Sequence, residues 1–163
     1  MPRRFSIEVA KDYFNFASAH FLIFANGKRE ALHGHNYQVS VAVEGDLDRA
    51  GVLLDFITFK PLVKRVCDDL DHHTLIQKDS PLLKIRQDRK GVEVLYKNQR
   101  IILPRRDIIL LPIVNTSTEL LAEYIADKIR QTTQRQFPGA RLHLIEVGVE
   151  EARGQRGFFR GAF

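Results

Sequence analysis

The stretch that most restricts the fold of this chain is residues 29–43, REALHGHNYQVSVAV. Its second half alternates without a break. Tyr37, Val39, Val41 and Val43 point one way, and Asn36, Gln38, Ser40 and Ala42 the other. This is the period-two pattern of a strand with one buried face. Side chains two apart on a strand share a face, so His33 and His35 extend the apolar row. Two imidazoles on such a row need partners. Either each ring is hydrogen-bonded to backbone, or the two rings, side by side with only Gly34 between them, chelate a metal.

The preceding segment repeats the pattern. Phe5, Ile7 and Val9 alternate, and then Phe14, Phe16, Ser18 and His20 alternate in the opposite parity. A change of parity near Lys11 and Asp12 is what a bulge produces. Residues 21–32 form a connection with an Asn26-Gly27 turn, which makes the two strands antiparallel neighbours and brings His20 close to His33 and His35. After Glu44-Gly45-Asp46, Phe59, Leu62, Val63, Val66 and Leu70 follow helical spacing, with Thr58 as the expected N-cap and Pro61 in the first turn. Cys67 lies inside that helix and reads as a buried structural thiol. The Asp71-His72 pair follows, either a polar helix end or a functional couple.

Residues 91–104 alternate on both sides of Lys97-Asn98 and predict a β-hairpin. Within residues 78–112 it reads as a basic, solvated flap decorating a single domain that spans residues 1–163. A second helix is expected from Thr116, whose spacing to Glu119 is that of a capping box. Strands over residues 142–149 and 157–163 close the chain. This order predicts an α+β fold, an antiparallel sheet with both helices on one face.

Composition narrows the function. A chain of 163 residues, 44% hydrophobic and 28% charged, is the mixture of one globular domain. No apolar run approaches the roughly 18 residues of a membrane span, and the N-terminal residues lack a signal-peptide block. A cytoplasmic location and no membrane partner are therefore the expectation. With Cys67 the one cysteine, a metal would have to be held by His, Asp or Glu. The net charge of +5 suits an anionic partner. No basic stripe with interleaved aromatics is legible, so nucleic acid is not expected.

Six separated segments carry a family resemblance: FASAHF at residues 16–21, LHGHNY at 32–37, GVLLDF at 51–56, LDHHTL at 70–75, TSTELLAEYI at 116–125, and the Glu150-Glu151 pair. Together they resemble the 6-pyruvoyltetrahydropterin synthase and 6-carboxytetrahydropterin synthase family, in the family's order over nearly the whole chain. The resemblance implies the tunnelling fold (T-fold), a four-stranded antiparallel sheet with two helices on one side. It implies a homo-oligomer, a trimer or dimer of trimers with active sites at subunit contacts. It also implies zinc (Zn2+) held by His20, His33 and His35, a proton relay of Asp71 and His72, Glu151 anchoring a pterin ring, and Ser117 and Thr118 lining the pocket.

One position departs from the pattern. Family members that make the pyruvoyl or carboxy product place a catalytic cysteine a few residues before the HGH, where this chain has Glu30. The arrangement Glu-x-x-His-Gly-His resembles a variant group in which glutamate replaces the cysteine. That group converts 7,8-dihydroneopterin triphosphate to 6-hydroxymethyl-7,8-dihydropterin for folate synthesis. The alternatives are a 6-pyruvoyl- or 6-carboxy-tetrahydropterin synthase using another base, a pterin-binding protein without catalysis, and, for Glu30 itself, a solvated loop carboxylate.

Overall fold

The computed structural model describes residues 4–163. Strands β1 (Phe5–His20) and β2 (His33–Gly45) form the long pair on which the rest is built. They run antiparallel, with Val9 opposite Val41, Phe16 opposite Tyr37, Ser18 opposite His35 and His20 opposite His33. The register slips between Ala10 and Asn15. This irregularity lets Phe14 and Phe16 be buried along with Val9 although their parity differs.

The remaining elements are α1 (Phe56–Leu70), β3 (His73–Gln77), β4 (Lys84–Gln87), β5 (Val92–Tyr96), β6 (Gln99–Leu103), β7 (Ile108–Leu111), α2 (Thr118–Gln136), β8 (Leu142–Ala152) and β9 (Gln155–Ala162). The main sheet has six strands in the order β7-β3-β1-β2-β8-β9. The expectation of four antiparallel strands is thus corrected. β3 pairs parallel to β1, and β7 parallel to β3. Thr74, Leu75, Ile76 and Gln77 are all buried, so β3 shows no alternation. Strands covered on both faces do not display a period of two.

Both helices cover one face of the sheet, over a core that includes Phe14, Phe16, Tyr37, Phe59, Leu121 and Ile125. Burying each such side chain contributes on the order of 1.5–3 kcal/mol relative to exposure. The caps differ from expectation. Asp55, not Thr58, caps α1: its carboxylate accepts from the Ile57 N–H at 2.9 Å, and the Thr58 hydroxyl donates to the Asp55 carbonyl at 3.0 Å. Pro61 therefore sits in the second turn, on a stretch of helix where Ile57 is 76% exposed. At α2, Ser117 is the cap and accepts from the Leu120 N–H at 3.4 Å. Thr116 donates instead to the Phe21 carbonyl at 3.0 Å.

The predicted hairpin is β5–β6, and β4 extends it to a three-stranded sheet. It is not a solvated flap. Val92, Val94 and Tyr96 are buried in a second cluster with Phe21, Ile23, Ile76 and Ile108. That cluster fastens the small sheet against the end of β1 and the β3–β7 edge.

Candidate active site

The end of β1 and the start of β2 bring three imidazoles together. Ring centroids are 4.8 Å apart for His20 and His33, 5.3 Å for His20 and His35, and 4.8 Å for His33 and His35. One nitrogen from each ring lies within 4.8 Å of the others. The Thr116 carbonyl is 3.0 Å from His20 Nδ1. A carbonyl only accepts, so that nitrogen carries the proton. His20 Nε2 is then left bare, buried and without a hydrogen-bond partner. His33 Nδ1 donates likewise to the Ala31 carbonyl at 2.8 Å. Burial pushes His20 down to about 4, partly offset by the Thr116 carbonyl, so the ring is neutral at ordinary pH. A neutral imidazole is the metal-ligating form. An orphaned buried nitrogen is otherwise costly, and one facing two further imidazoles fits a metal ion with a position left open.

Tyr37 lies beneath the triad. Its ring stacks on Phe16 at 4.7 Å and stands edge-on to His20 at 5.8 Å and His35 at 5.5 Å. The hydroxyl is buried without a hydrogen-bond partner. Burial first, and then the charges of Glu151 and Glu30, push this phenol well above its ordinary range. Glu151 Oε2 lies 4.0 Å from His35 Nε2. Its neighbour Glu150 accepts from the Gly154 N–H at 2.8 Å and pairs with Arg156.

Glu30 is tied back to Leu22 twice. The Glu30 N–H donates to the Leu22 carbonyl at 2.9 Å, and the Leu22 N–H donates to Glu30 Oε2 at 3.0 Å. Its charge also acts on His20, raising the ring's pKa. The carboxylate is thus hydrogen-bonded within its own loop, between the end of β1 and the start of β2.

Asp71 and His72 are coupled at a different place. Asp71 Oδ1 accepts from the Ala17 N–H at 2.7 Å, Oδ2 lies 2.7 Å from His72 Nδ1, and the His72 N–H donates to the Ala17 carbonyl at 2.7 Å. The Ala17 N–H chiefly, and then His72, hold the Asp71 carboxyl below its ordinary value. The His72 side chain is 83% exposed. It borders a depression of about 430 Å³ lined also by Ala17, Ala19, His35, Asn36 and Asp107. His20, His33 and Glu30 do not line it. Ser117 and Thr118 lie at the start of α2, just after the carbonyl that orients His20. The Ser117 hydroxyl is engaged as the cap, and Thr118 is packed so closely on Gly157 that a Cβ there would sit 2.4 Å from its hydroxyl oxygen.

Comparison with known proteins identifies the family. The family described as 6-pyruvoyl tetrahydropterin synthase matches residues 8–162. The chain belongs to that family. A relative from Methanocaldococcus jannaschii, named putative 6-carboxy-5,6,7,8-tetrahydropterin synthase, is 34% identical over 148 residues, 89% of this chain and 88% of the relative. A dihydroneopterin monophosphate aldolase from Pyrococcus furiosus is 41% identical over 46 residues, 28% of this chain and 40% of that one. Among solved structures, 6-pyruvoyl tetrahydropterin synthase of Plasmodium falciparum superposes with a TM-score of 0.91 at 33% identity, covering 98% of this chain and 99% of the other. A variant of the Plasmodium vivax enzyme, in which a glutamate described as a catalytic residue is replaced by alanine, also gives 0.91 at 30% identity, covering 99% of this chain and all of that one.

Within the 6-pyruvoyl tetrahydropterin synthase family the α+β T-fold expectation holds, with the larger sheet described above. Among the described residues no helix is long and apolar enough to cross a membrane. Reading the sequence missed Tyr37 as a member of the site. The signal was present, since Tyr37 follows His35 by two on the same strand face. It also missed Thr116 as the orienter of His20, because a backbone carbonyl has no side-chain signature. Cys67 is buried in α1, and burial pushes its thiol up to about 12, so this cysteine is not a thiolate base.

Proposed function

We propose that this chain is a zinc-dependent lyase acting on 7,8-dihydroneopterin triphosphate and releasing mainly 6-hydroxymethyl-7,8-dihydropterin, with Glu30 as the base. The observation that carries this reading is the Glu30 carboxylate, held by the Leu22 N–H beside the imidazole triad, in a chain whose single cysteine is buried elsewhere and protonated. The catalytic glutamate of the Plasmodium vivax enzyme and the aldolase name of the Pyrococcus furiosus relative support it.

His20, His33 and His35 would hold the ion, which when bound polarises the side-chain oxygens of the substrate and acidifies the groups attached to them. Glu151 anchors the pterin ring by accepting paired hydrogen bonds from its amino and N–H groups. Breaking the C1′–C2′ bond needs a base to take the C2′ hydroxyl proton, and Glu30 supplies it. The electron pair of the broken bond passes into the pterin system, and a proton must then be returned at C1′. His72, oriented by Asp71, is the proton carrier. A two-carbon aldehyde leaves with the triphosphate. The depression beside His72 reaches His35 but not His20, His33 or Glu30; in a trimer or dimer of trimers a second copy of the chain would bring its Asp71-His72 pair to the triad.

A second reading, formation of the 6-pyruvoyl or 6-carboxy product, is favoured by the names of the curated relatives. Chromatographic product analysis separates the two. Purified protein given the triphosphate substrate is expected to release 6-hydroxymethyl-7,8-dihydropterin as the main product. Glu30→Ala is expected to lose on the order of 10²–10⁴ in turnover with metal content unchanged. Absence of the hydroxymethyl product, or wild-type turnover in Glu30→Ala, would sink the proposal.

A further inference from the structure

The loop that carries Glu30 is held from two sides, and one side is the three-stranded sheet. Residues 23–29 form a small hairpin. Ile23 is bridged to Arg29, the Phe24 N–H donates to the Lys28 carbonyl at 2.9 Å, and the Gly27 N–H donates to the Phe24 carbonyl at 2.8 Å. Gly27 turns the tip with φ of 74°, a left-handed conformation that glycine adopts without penalty. The base of this hairpin is pinned to the main sheet. The Gln77 amide donates to the Phe21 carbonyl at 3.1 Å, and Asn115 both donates to the Ile23 carbonyl at 3.0 Å and accepts from the Ile23 N–H at 3.3 Å. Leu22, the residue between them, holds the Glu30 carboxylate.

The tip is gripped by the turn between β5 and β6. The Tyr96 hydroxyl donates to the Gly27 carbonyl at 2.5 Å, and the Lys97 ammonium donates to the same oxygen at 3.1 Å. On the next strand, Gln99 accepts from Arg29 Nε at 2.6 Å. The Arg29 guanidinium in turn lies 5.0 Å above the Phe21 ring, at the edge of the second hydrophobic cluster. Arg29 is the residue before Glu30, so a shift of the small sheet moves the carboxylate's own backbone. A two-stranded hairpin this short has marginal stability by itself, and a displacement of about 1 Å at a reacting group can cost 10²-fold in rate.

We infer that the three-stranded sheet of residues 84–103 is a clamp that positions Glu30, with Tyr96 and Gln99 acting as positioning residues through Gly27 and Arg29. This rests on Glu30 being the base. Tyr96→Phe tests it, because the variant keeps the ring buried in the second cluster and removes only the hydroxyl that reaches Gly27.

In the full-length protein, Tyr96→Phe is expected to lower kcat about tenfold with KM, metal content and Tm unchanged. Hydrogen exchange at the amides of residues 22–30 should be several-fold faster. Gln99→Ala should act in the same direction. Tyr96→Phe combined with Glu30→Gln should be no slower than Glu30→Gln alone, because the clamp acts only through that carboxylate. Losses that multiply in the double variant, unchanged exchange at residues 22–30, or faster exchange with wild-type kcat would each overturn the clamp while leaving a slow Glu30→Gln, and so the base, intact. Wild-type turnover in Glu30→Gln would instead overturn the base reading and the clamp's catalytic role with it.

Discussion

The core beneath α1 and α2 and the smaller cluster beneath β4–β6 are built from similar residues and hold different things in place. The first takes side chains from β1, β2, β8 and both helices, so losing one element exposes all the others. The second joins seven buried side chains among the described residues. Three of them come from β5, two from the β1–β2 connection, and one each from β3 and β7. Opening it frees the small sheet and the Glu30 loop without exposing the helices. Segments with few buried contacts open at lower free energy than the global transition. The large core thus sets whether the chain folds, and the small one sets how firmly one loop is held.

The sharpest way to break this contrast is a pair of truncations. Phe59→Ala is expected to cost about 3–5 kcal/mol and to speed hydrogen exchange across the main sheet and both helices. Val94→Ala is expected to cost about 1–3 kcal/mol, with the faster exchange confined to β4–β6 and residues 22–30. Equal spreading in the two variants would show a single cooperative unit.

Cys67→Ala carries the comparison to the helix side of the large core. It is expected to lower stability by about 1 kcal/mol through the small cavity and to leave turnover unchanged, since a thiol pushed up to about 12 is not ionised in assay buffer. Lost turnover with metal retained would return the thiol to the mechanism.

The smallest effect concerns Asp71, which follows α1 and is hydrogen-bonded to the Ala17 backbone of β1. The Ala17 N–H and then His72 hold its carboxyl below the ordinary value, so its stabilising contribution is fully present above the unfolded carboxyl value and is lost as pH falls through the folded value. Urea midpoints of wild type and Asp71→Asn should therefore differ at neutral pH, with the gap beginning to narrow near the ordinary aspartate value of about 4 and closing as pH falls through the depressed folded value. A gap that persists to low pH would assign the difference to packing.

The same contrast explains what the sequence disclosed. β1 and β2 were legible because one face of each is buried under the helices while the other is not, so Phe14, Phe16, Tyr37, Val39 and Val41 print a period of two, and the bulge prints its change of parity. β3 and β7 were illegible because HTLIQ and IILL are short and largely covered on both sides. The caps were misplaced by one to three residues because Thr58, Thr116, Ser117 and Asp55 have similar side-chain chemistry, and only the backbone geometry distinguishes them. The triad was legible from parity, while Glu30 and Asp71-His72 needed the family pattern. The clamp was hidden for a different reason: its contacts join residues about 70 positions apart, and nothing local marks Tyr96 or Gln99. Even the charge pattern reads differently once folded. Residues 78–112 hold nine Lys and Arg against four Asp and Glu, a surplus equal to the net charge of the whole chain.

His72 adopts a left-handed backbone, with φ of 58°. For a residue with a side chain this conformation costs roughly 1–2 kcal/mol relative to the right-handed one, whereas glycine would occupy it freely. The turn directs a solvent-exposed imidazole outward, paired through Nδ1 with Asp71, while its own N–H and Asp71 are locked to the Ala17 backbone. The ring's position is thus defined before anything meets it, at the expense of a more stable chain. Directed evolution for thermal tolerance alone would favour glycine at this position, and would discard the imidazole proposed above as the proton carrier.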